Sequence, residues 1–450
     1  MFNVPFLLWA VLFAAALFAP LRWSFIAYLV LSVVDFYSGD SGVGQLNTIK
    51  GLIFPLYLLW RLRNQSGHNK AVLAPIAFLV FVGYVALASV WSLFPLSAAK
   101  LVLQLIGSFL ICMAFLRGTK AGYLTPSVVL PVTIGVLAVG VIRTFFVPNG
   151  IEGDRFTGYI SAQAYASFCT ALFCVALCTR SIRPAVRYSI CAVLALAVVL
   201  DGSRIWIFGV CIAVLMTLLT SRTRAWVKIL SGSAIVLAIT AVMASSELVL
   251  KLLAKDASSN RIASFVIDLY QGDTQGGGMG TYNLRRQIDD RGIEMIEASS
   301  PLEILAGNGT SNGALITWSV IHAGTDPNRA VHNEWLRIMY EWGIAGMIAW
   351  IVFVGSIAVY AIEGNRKDRA AHAQPLLIYL PAFLIGLSGE NIPAGAGGAV
   401  NLGLILLIAL PSISHREALR NARLRHFAAQ RRNAFLNARP WPARLSRRPA

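Results

Sequence analysis

The chain has 450 residues, of which 57% are hydrophobic and 13% charged, with a formal net charge of +17. So few charged groups cannot cover the surfaces of several soluble domains, which excludes a soluble multidomain protein. The composition predicts an all-α polytopic membrane protein, a transmembrane helical bundle with one large extracytoplasmic loop that contains short helices.

Apolar segments approach the roughly 20 residues that a helix needs to cross the hydrocarbon core of a bilayer. In chain order they predict about thirteen spans, with cores at 5–19, 23–36, 46–60, 72–90, 98–116, 124–146, 160–178, 188–202, 204–220, 226–246, 335–362, 375–388 and 398–413. Only Pro20 and Arg22 separate the first two, so a count of twelve stays open.

Lysine and arginine fall in every second connection between the spans, which predicts that these connections are cytoplasmic. The basic connections lie at 61–70, 117–120, 180–187, 222–228 and 366–369. This alternation predicts ten spans in residues 1–246, an extracytoplasmic loop at 247–331, the remaining spans in 332–413 and a basic cytoplasmic tail at 414–450.

The tail holds ten arginines against one acidic residue, Glu417. A basic block directly after a final span favours contact with anionic lipid headgroups over binding of nucleic acid. All six cysteines lie in apolar segments, so neither disulfides nor a Cys-x-x-Cys metal site is expected. We expect no cofactor.

Two pieces of the long loop (247–331) carry a local signal. Gln271–Gly280 is rich in glycine but lacks the Lys-Ser/Thr of a phosphate-binding loop, which favours a flexible linker. Leu284–Ile296 has its apolar residues on one helical face, which predicts a short amphipathic helix on the membrane surface.

Arg204 and His332 stand at the predicted outer ends of two spans. Ionisable residues there are costly unless they are paired or hydrated, so both are functional candidates. The alternatives are an arginine that extends toward lipid headgroups and a histidine that only packs or caps a helix.

The spacing around these residues resembles a known family. His332-Asn333, followed by nine residues, Gly343, two residues and Gly346, is similar to the signature of the O-antigen ligase and polysaccharide polymerase superfamily. Four further elements resemble its motifs in the same order: Trp91–Ser97, the Arg-x-x-Gly element from Arg155, Gly202–Arg204, and the segment from Leu284 to Gly309.

Two positions depart from the family pattern. Ala162-Gln163 stands where members commonly have Pro-Asn, and Asp289 stands where many members have Trp, four residues after the loop arginine. The second departure leaves Arg285 and Arg286 undistinguished.

The resemblance implies a metal-independent membrane glycosyltransferase in the bacterial inner membrane, active at the periplasmic face. Its donor would be an undecaprenyl diphosphate-linked glycan. Its acceptor would be another glycan, as in polymerases of exopolysaccharide or O-antigen, or the lipid A core, as in O-antigen ligases. Membrane lipid, a chain-length regulator and export machinery are the further partners that it implies.

The chemistry assigns roles to the candidate residues. Guanidinium groups match a diphosphate and stay charged, so Arg204 and Arg285, followed by Arg286 and Arg155, are expected to bind the donor. The ordinary pKa of histidine suits His332 as the base for the acceptor hydroxyl. Asn333 and Glu390 are expected in the acceptor cleft, and Gly343 and Gly346 are expected to permit close helix packing.

Two rival classes remain. A secondary transporter or glycan exporter would be expected to show midplane charges and an internal repeat, and the sequence shows no repeat. Glu390, in the Ser388–Gly398 segment between two short spans, is the best argument for it. A non-catalytic scaffold would leave the arginines and His332 without a role.

The topology can be tested with single cysteines. Gln275→Cys should react with a membrane-impermeant thiol reagent added to intact cells, because the long loop is predicted to be outside. Gln430→Cys should react only after the cells are permeabilised. The reverse pattern would contradict the positive-inside assignment.

Overall fold

A computed structural model describes residues 4–34, 49–63, 73–124, 128–146, 156–160, 162–179, 182–220, 277–321, 331, 333–368 and 374–386. Within these ranges the fold is all-α, as predicted. The only β feature there is an isolated bridge between Val34 and Tyr159.

The described helices are numbered in chain order. They are α1 (Val4–Phe18), α2 (Leu21–Leu31), α3 (Phe54–Arg61), α4 (Leu73–Ala88), α5 (Pro95–Lys120), α6 (Val129–Phe146), α7 (Ala162–Cys178), α8 (Pro184–Asp201), α9 (Arg204–Thr220), α10 (Gly277–Glu297), α11 (Pro301–Ala306), α12 (Ala314–Ile321), α13 (Glu334–Asp368) and α14 (Gln374–Gly386). A π-helix, Ile49–Ile53, leads into α3, and a 3-10 turn, Ser89–Trp91, follows α4.

Every predicted span that falls on described residues corresponds to a helix. The first two spans are separate helices, because the chain leaves the helical conformation at Pro20, whose ψ is 146°. The third differs from the prediction in that its first part, Ile49–Ile53, is a π-helix. The predicted spans at 226–246 and 398–413 and the basic tail lie outside the described residues.

Three described segments are long and apolar enough to cross a bilayer: Pro95–Phe115, Pro184–Asp201 and Glu334–Val359. Several shorter apolar helices accompany them, such as Val129–Phe145 and Ile205–Leu219. The helical membrane class expected from composition is therefore confirmed.

Helix α13 packs along α4, and their contact is aromatic. The Phe81 ring lies 5.2 Å from that of Trp342 and 5.1 Å from that of Trp350, measured between centroids. All three side chains are fully buried. Helices α7, α8 and α9 pack on one another, and we call them the second helical group. Helix α14 packs against α7 and α9 of this group and also against α13, so it contacts both the helix that begins at Arg204 and the one that begins at Glu334.

The long loop differs from the prediction in two respects. Helix α10 begins at Gly277, so the end of the predicted linker, residues 277–280, is helical. Extending a helix adds one hydrogen bond per residue once the amphipathic part has formed, which offsets the low helix propensity of glycine. The apolar face of α10 also packs on protein rather than on the membrane surface, since Ile288 is buried against Ile316 and Val331.

Candidate active site

Helix α13 is interrupted at Gly343, which has φ 61° and ψ −163°. Only glycine adopts this conformation readily. A Cβ atom here would lie 2.5 Å from the backbone nitrogen of Gly307 and 2.7 Å from the carbonyl oxygens of Ile304 and Leu305. The expected role of Gly343 in close packing is therefore only part of its function, because the residue also breaks the helix.

The break frees two backbone carbonyls for the long loop. In a continuous helix the carbonyls of Tyr340 and Glu341 would accept from residues 344 and 345. Here they accept from the N–H groups of Asn308 and Gly309, each at 2.9 Å. The loop reaches these carbonyls because Gly307 and Gly309 both have positive φ, 82° and 106°.

The turn after α4 completes this arrangement. Trp91 donates its indole N–H to the carbonyl of Gly307 at 3.1 Å, and the Ser92 hydroxyl donates to the carbonyl of Thr310. We call this region the glycine junction: Trp91, Ser92, residues 307–313 and residues 340–343. Three of the motifs that carry the family resemblance thus meet at one place, although the first is far from the other two in sequence: Trp91 and Gly307 are 216 residues apart.

The loop of the glycine junction cannot cradle a phosphate through its backbone. Every N–H from 307 to 313 already donates to a protein oxygen, including those of Ser311 and Gly313, which donate to the Glu341 carboxylate at 2.8 and 3.1 Å. The loop is therefore a scaffold, and the charge of a diphosphate would have to be met by side chains.

A buried ion cluster supports the same helix. Arg337 lies 3.1 Å from Glu341 and 3.5 Å from Glu334, and all three side chains are at most 4% exposed. Removing one member of such a cluster typically costs about 3 to 5 kcal/mol, because it leaves a buried charge uncompensated. Sequence reasoning overlooked these residues, although charges just inside an apolar span are the signal that singled out Arg204 and His332.

Helix α10 and the start of α13 bring two of the predicted site segments together. Asn333 caps α13, since its Oδ1 accepts from the Leu336 N–H at 3.3 Å. It also lowers the pKa of the Asp289 carboxyl of α10. His332 itself lies outside the described residues, but its chain neighbour Val331 packs against Ile288 of α10.

The two loop arginines have different surroundings. The Nε of Arg285 is buried and has no hydrogen-bond partner among the residues that the structure describes. Arg286 is 71% exposed, and its Nε lies 3.9 Å from the Asp290 carboxylate. A buried N–H without a partner costs about 1 to 3 kcal/mol, so the environment of Arg285 is the one that suits an anionic ligand.

The other predicted arginines lie on the second helical group. Gly202 ends α8 in the left-handed conformation, φ 77°, and Arg204 begins α9. Nearby, the Phe156 N–H donates to the carbonyl of Leu200 at 3.3 Å, which brings the chain just after Arg155 to the turn just before Arg204. Arg155 lies outside the described residues, and so does the side chain of Arg204.

Residues 156–160 also connect this turn to the N-terminal helices. The Tyr159 N–H donates to the carbonyl of Val33 at 3.0 Å, and the buried Lys50 ammonium donates to that of Val34 at 3.1 Å. Arg143 is buried and acts electrostatically on Tyr159. Lys50 and Arg143 are two charges within apolar spans that the sequence interpretation did not single out.

The structure therefore joins the candidate residues in two groups. Arg285 and Asn333 belong to the first, and the segments next to Arg155 and Arg204 belong to the second. Helix α14 packs against the helices of both groups.

Glu390 lies outside the described residues, and its expected place in the acceptor cleft stays a prediction. Within the described ranges, no three His, Cys, Asp or Glu side chains are grouped so that they could hold a metal ion.

Comparison with protein families gives a match over residues 189–351, to the family described as O-antigen ligase. This part of the chain is therefore similar to an O-antigen ligase domain. The matched segment contains the Gly202–Arg204 turn, helix α10, the loop of the glycine junction and the break at Gly343. The resemblance to the O-antigen ligase and polymerase superfamily is thus confirmed. No curated protein matches the chain.

The break in α13 gives a stability prediction. Gly343→Ala should destabilise the protein, by on the order of 1 to 3 kcal/mol from backbone strain alone. Gly355→Ala in the same helix is the control, because a Cβ there meets nothing within 4 Å. Thermal unfolding of both variants in detergent measures the difference, and equal midpoints would contradict the account of the break.

The environments of the two loop arginines predict different losses. Arg285→Lys should lower kcat/KM for a diphosphate-linked donor by about 10- to 100-fold, since it loses the bidentate fork and about 1.5 to 3 kcal/mol. Arg286→Lys should stay near the wild-type value, because its ion pair is exposed. Equal losses of kcat/KM by the two purified variants in a transfer assay would contradict the prediction that Arg285 and Arg286 differ in their contribution to donor use.

Proposed function

We propose that this chain is a membrane glycosyltransferase of the bacterial inner membrane that uses an undecaprenyl diphosphate-linked oligosaccharide as its donor. In this proposal the long loop and the glycine junction are periplasmic, the spans before and after them form the membrane domain, and the tail at 414–450 is cytoplasmic. The reaction serves the synthesis of a surface polysaccharide.

One observation carries the proposal: the O-antigen ligase match covers 189–351 and contains Arg204, Arg285 and His332 together. The docking of α10 on the start of α13 supports it, because two of these three residues belong to the segments that it joins. A secondary transporter would not require this contact between a loop helix and a helix start.

The proposed reaction is a displacement at the anomeric carbon of the donor. A bond forms between the acceptor hydroxyl oxygen and that carbon, the bond from carbon to the diphosphate oxygen breaks, and its electron pair leaves on the diphosphate. His332 accepts the hydroxyl proton. Arg204 and Arg285, with Arg286 and Arg155 as secondary candidates, stabilise the added negative charge, so this route requires no metal ion.

The acceptor defines two versions of the function. In a polymerase it is the end of another donor-linked glycan, which is our first candidate for an exopolysaccharide or O-antigen. In a ligase it is a sugar of the lipid A core. The description of the matching family, O-antigen ligase, favours this second version.

Deleting the gene and analysing the surface glycans distinguishes the two versions. Single repeat units on the lipid carrier are expected for a polymerase, and full-length polymer retained on the carrier is expected for a ligase. Identical glycans in the wild type, the deletion strain and the strain complemented with the wild-type gene would contradict both versions of the function.

The assigned roles predict that two variants fail in different ways. Arg204→Lys should weaken donor binding, because lysine keeps the charge but loses the bidentate fork. His332→Ala should bind the donor normally and lose about 10²- to 10⁴-fold in transfer rate, the usual effect of removing a general base. Donor binding and in vitro transfer by the purified variants test this. The opposite pattern would refute the roles.

A further inference from the structure

The turn between α1 and α2 lies against the ends of two other helices. The Nη1 atom of Arg61, the last residue of α3, donates to the carbonyl of Ala19 at 2.9 Å and to the hydroxyl of Ser24 at 3.1 Å. Near the end of α5, a Cβ at Gly118 would lie 2.5 Å from the ring of Phe25. The ends of α3 and α5 therefore both contact the start of α2.

Arg61 and Arg117 lie at the same level of the helical bundle. At the other end of these segments, a Cβ at Gly107 of α5 would lie 2.5 Å from the carbonyl oxygen of Gly51, in the π-helix before α3. The π-helix and α3 both pack against α5, and Arg61 and Arg117 each follow their glycine by ten residues. The two arginines are thus brought to the same end of the bundle, next to the start of α2.

Donor groups at this end of the bundle are available to a ligand. The Nε of Arg117 is buried and has no hydrogen-bond partner among the residues that the structure describes. Helix α2 begins directly after Pro20, which provides no side-chain cap, so the first N–H groups of the helix have no intrahelical acceptor. The partial positive charge of a helix N-terminus also favours an anion. An anion bound here would therefore meet donors from a guanidinium and from a helix start.

Two further arginines accompany this pair. Arg22 is exposed in the first turn of α2. Arg63 follows α3, and its guanidinium lies 4.8 Å from the ring centroid of Trp60. We call Arg22, Arg61, Arg63 and Arg117 the arginine cluster. The start of α2 and the ends of α3 and α5 thus carry four positive charges.

The sequence around the arginine cluster contains no acidic residue. Asp and Glu are absent from residues 1–34 and from residues 41–151, so these segments supply no carboxylate to the cluster. The guanidinium fork matches a phosphate group and stays charged in surroundings of low dielectric constant. The charge and the donors together favour an anionic ligand that contains a phosphate group.

Exposed apolar side chains indicate that this ligand is a lipid. Phe18, next to the turn, is 85% exposed, and Trp23 and Trp60 are 54% and 57% exposed. Tryptophan is typical of the region where a membrane meets water. A soluble phosphate ion would leave these side chains uncovered, whereas a phospholipid places its acyl chains against them and its phosphate among the arginines.

We propose that the arginine cluster binds an anionic phospholipid of the surrounding membrane. In this site the phosphate lies between Arg117 and the first turn of α2, within reach of Arg61 and Arg22. The acyl chains pack along Trp23 and Trp60, so the lipid stabilises the contacts of α2 with α3 and α5. The inference is independent of the proposed function, because no residue of the cluster takes part in the proposed transfer.

Thermal unfolding of the purified full-length protein tests this site. In detergent, added phosphatidylglycerol should raise the unfolding midpoint more than phosphatidylcholine does, because a ligand that binds only the folded state stabilises it. Arg117→Gln should lower the affinity for phosphatidylglycerol by about 10-fold, the usual effect of losing one charged hydrogen bond. It should also lose most of the added stability. Native mass spectrometry of the lipid-bound protein measures the affinity.

The control is Lys100→Gln. Lys100 is exposed near the start of α5, so this change removes one positive charge from the same helix at its other end. Its response to phosphatidylglycerol should equal that of the wild type. Arg22→Gln is a second test variant, since an exposed side chain can be replaced with little effect on folding. It should also bind phosphatidylglycerol more weakly than the wild type.

Three results would overturn the inference. They are equal stabilisation by phosphatidylglycerol and phosphatidylcholine, equal stabilisation by inorganic phosphate without lipid, and equal losses of phosphatidylglycerol affinity in Arg117→Gln and Lys100→Gln. The second would indicate a phosphate site, and the third would indicate an effect of net charge alone. Should Arg117→Gln not fold, Arg22→Gln decides: weaker binding of phosphatidylglycerol would support the site, and binding equal to that of the wild type would refute it.

Discussion

The carbonyls of Tyr340 and Glu341 need hydrogen-bond donors, and the structure around the candidate site depends on how that need is met. A helix that breaks near a membrane leaves polar backbone groups without partners, and each such group costs several kcal/mol in a low-dielectric setting. The break at Gly343 is therefore tolerated only because the loop N–H groups of Asn308 and Gly309 replace the missing helical turn. The loop and the turn after α4 therefore support the break in α13.

This constraint explains why glycines and small polar residues recur in the junction. A Cβ at Gly307 would lie 2.3 Å from the carbonyl oxygen of Glu341, and one at Gly343 would lie 2.5 Å from the nitrogen of Gly307, so neither position tolerates a side chain. Thr310 accepts from the indole N–H of Trp342 at 3.1 Å and donates to the carbonyl of Val85 at 2.8 Å, so its hydroxyl joins α13 to α4. Hydrogen bonds of this kind hold a site more rigidly than side-chain packing alone.

Much of the fold was accessible from the sequence, because span length and apolar composition are properties of single segments. The helices at 204–220 and 73–88 agree with their predicted spans to within a few residues. The site was accessible only in part. The motif contains Gly343, but the break that this residue makes in α13 depends on partners at 304–309 that no local pattern reveals.

The sequence predictions that were wrong, and the residues that were overlooked, also depend on contacts between distant segments. The predicted linker at 277–280 is helical because the amphipathic segment after it extends backwards, and the apolar face of α10 is covered by α12 and α13 rather than by lipid. Hydrophobic periodicity indicates that a face is buried but not what buries it. Lys50 and Arg143 were overlooked because each is a single charge in an otherwise apolar span.

The distance in sequence between Trp91 and Gly307 has a consequence for biosynthesis. At usual ribosome speeds, the 216 residues between them take roughly 10 to 40 s to translate. During that interval the turn after α4 is already in the membrane while its loop partners have not been made. The indole of Trp91 and the hydroxyl of Ser92 must then be hydrated or held by an insertion factor, so assembly of this half of the protein has to wait for the last third of the chain.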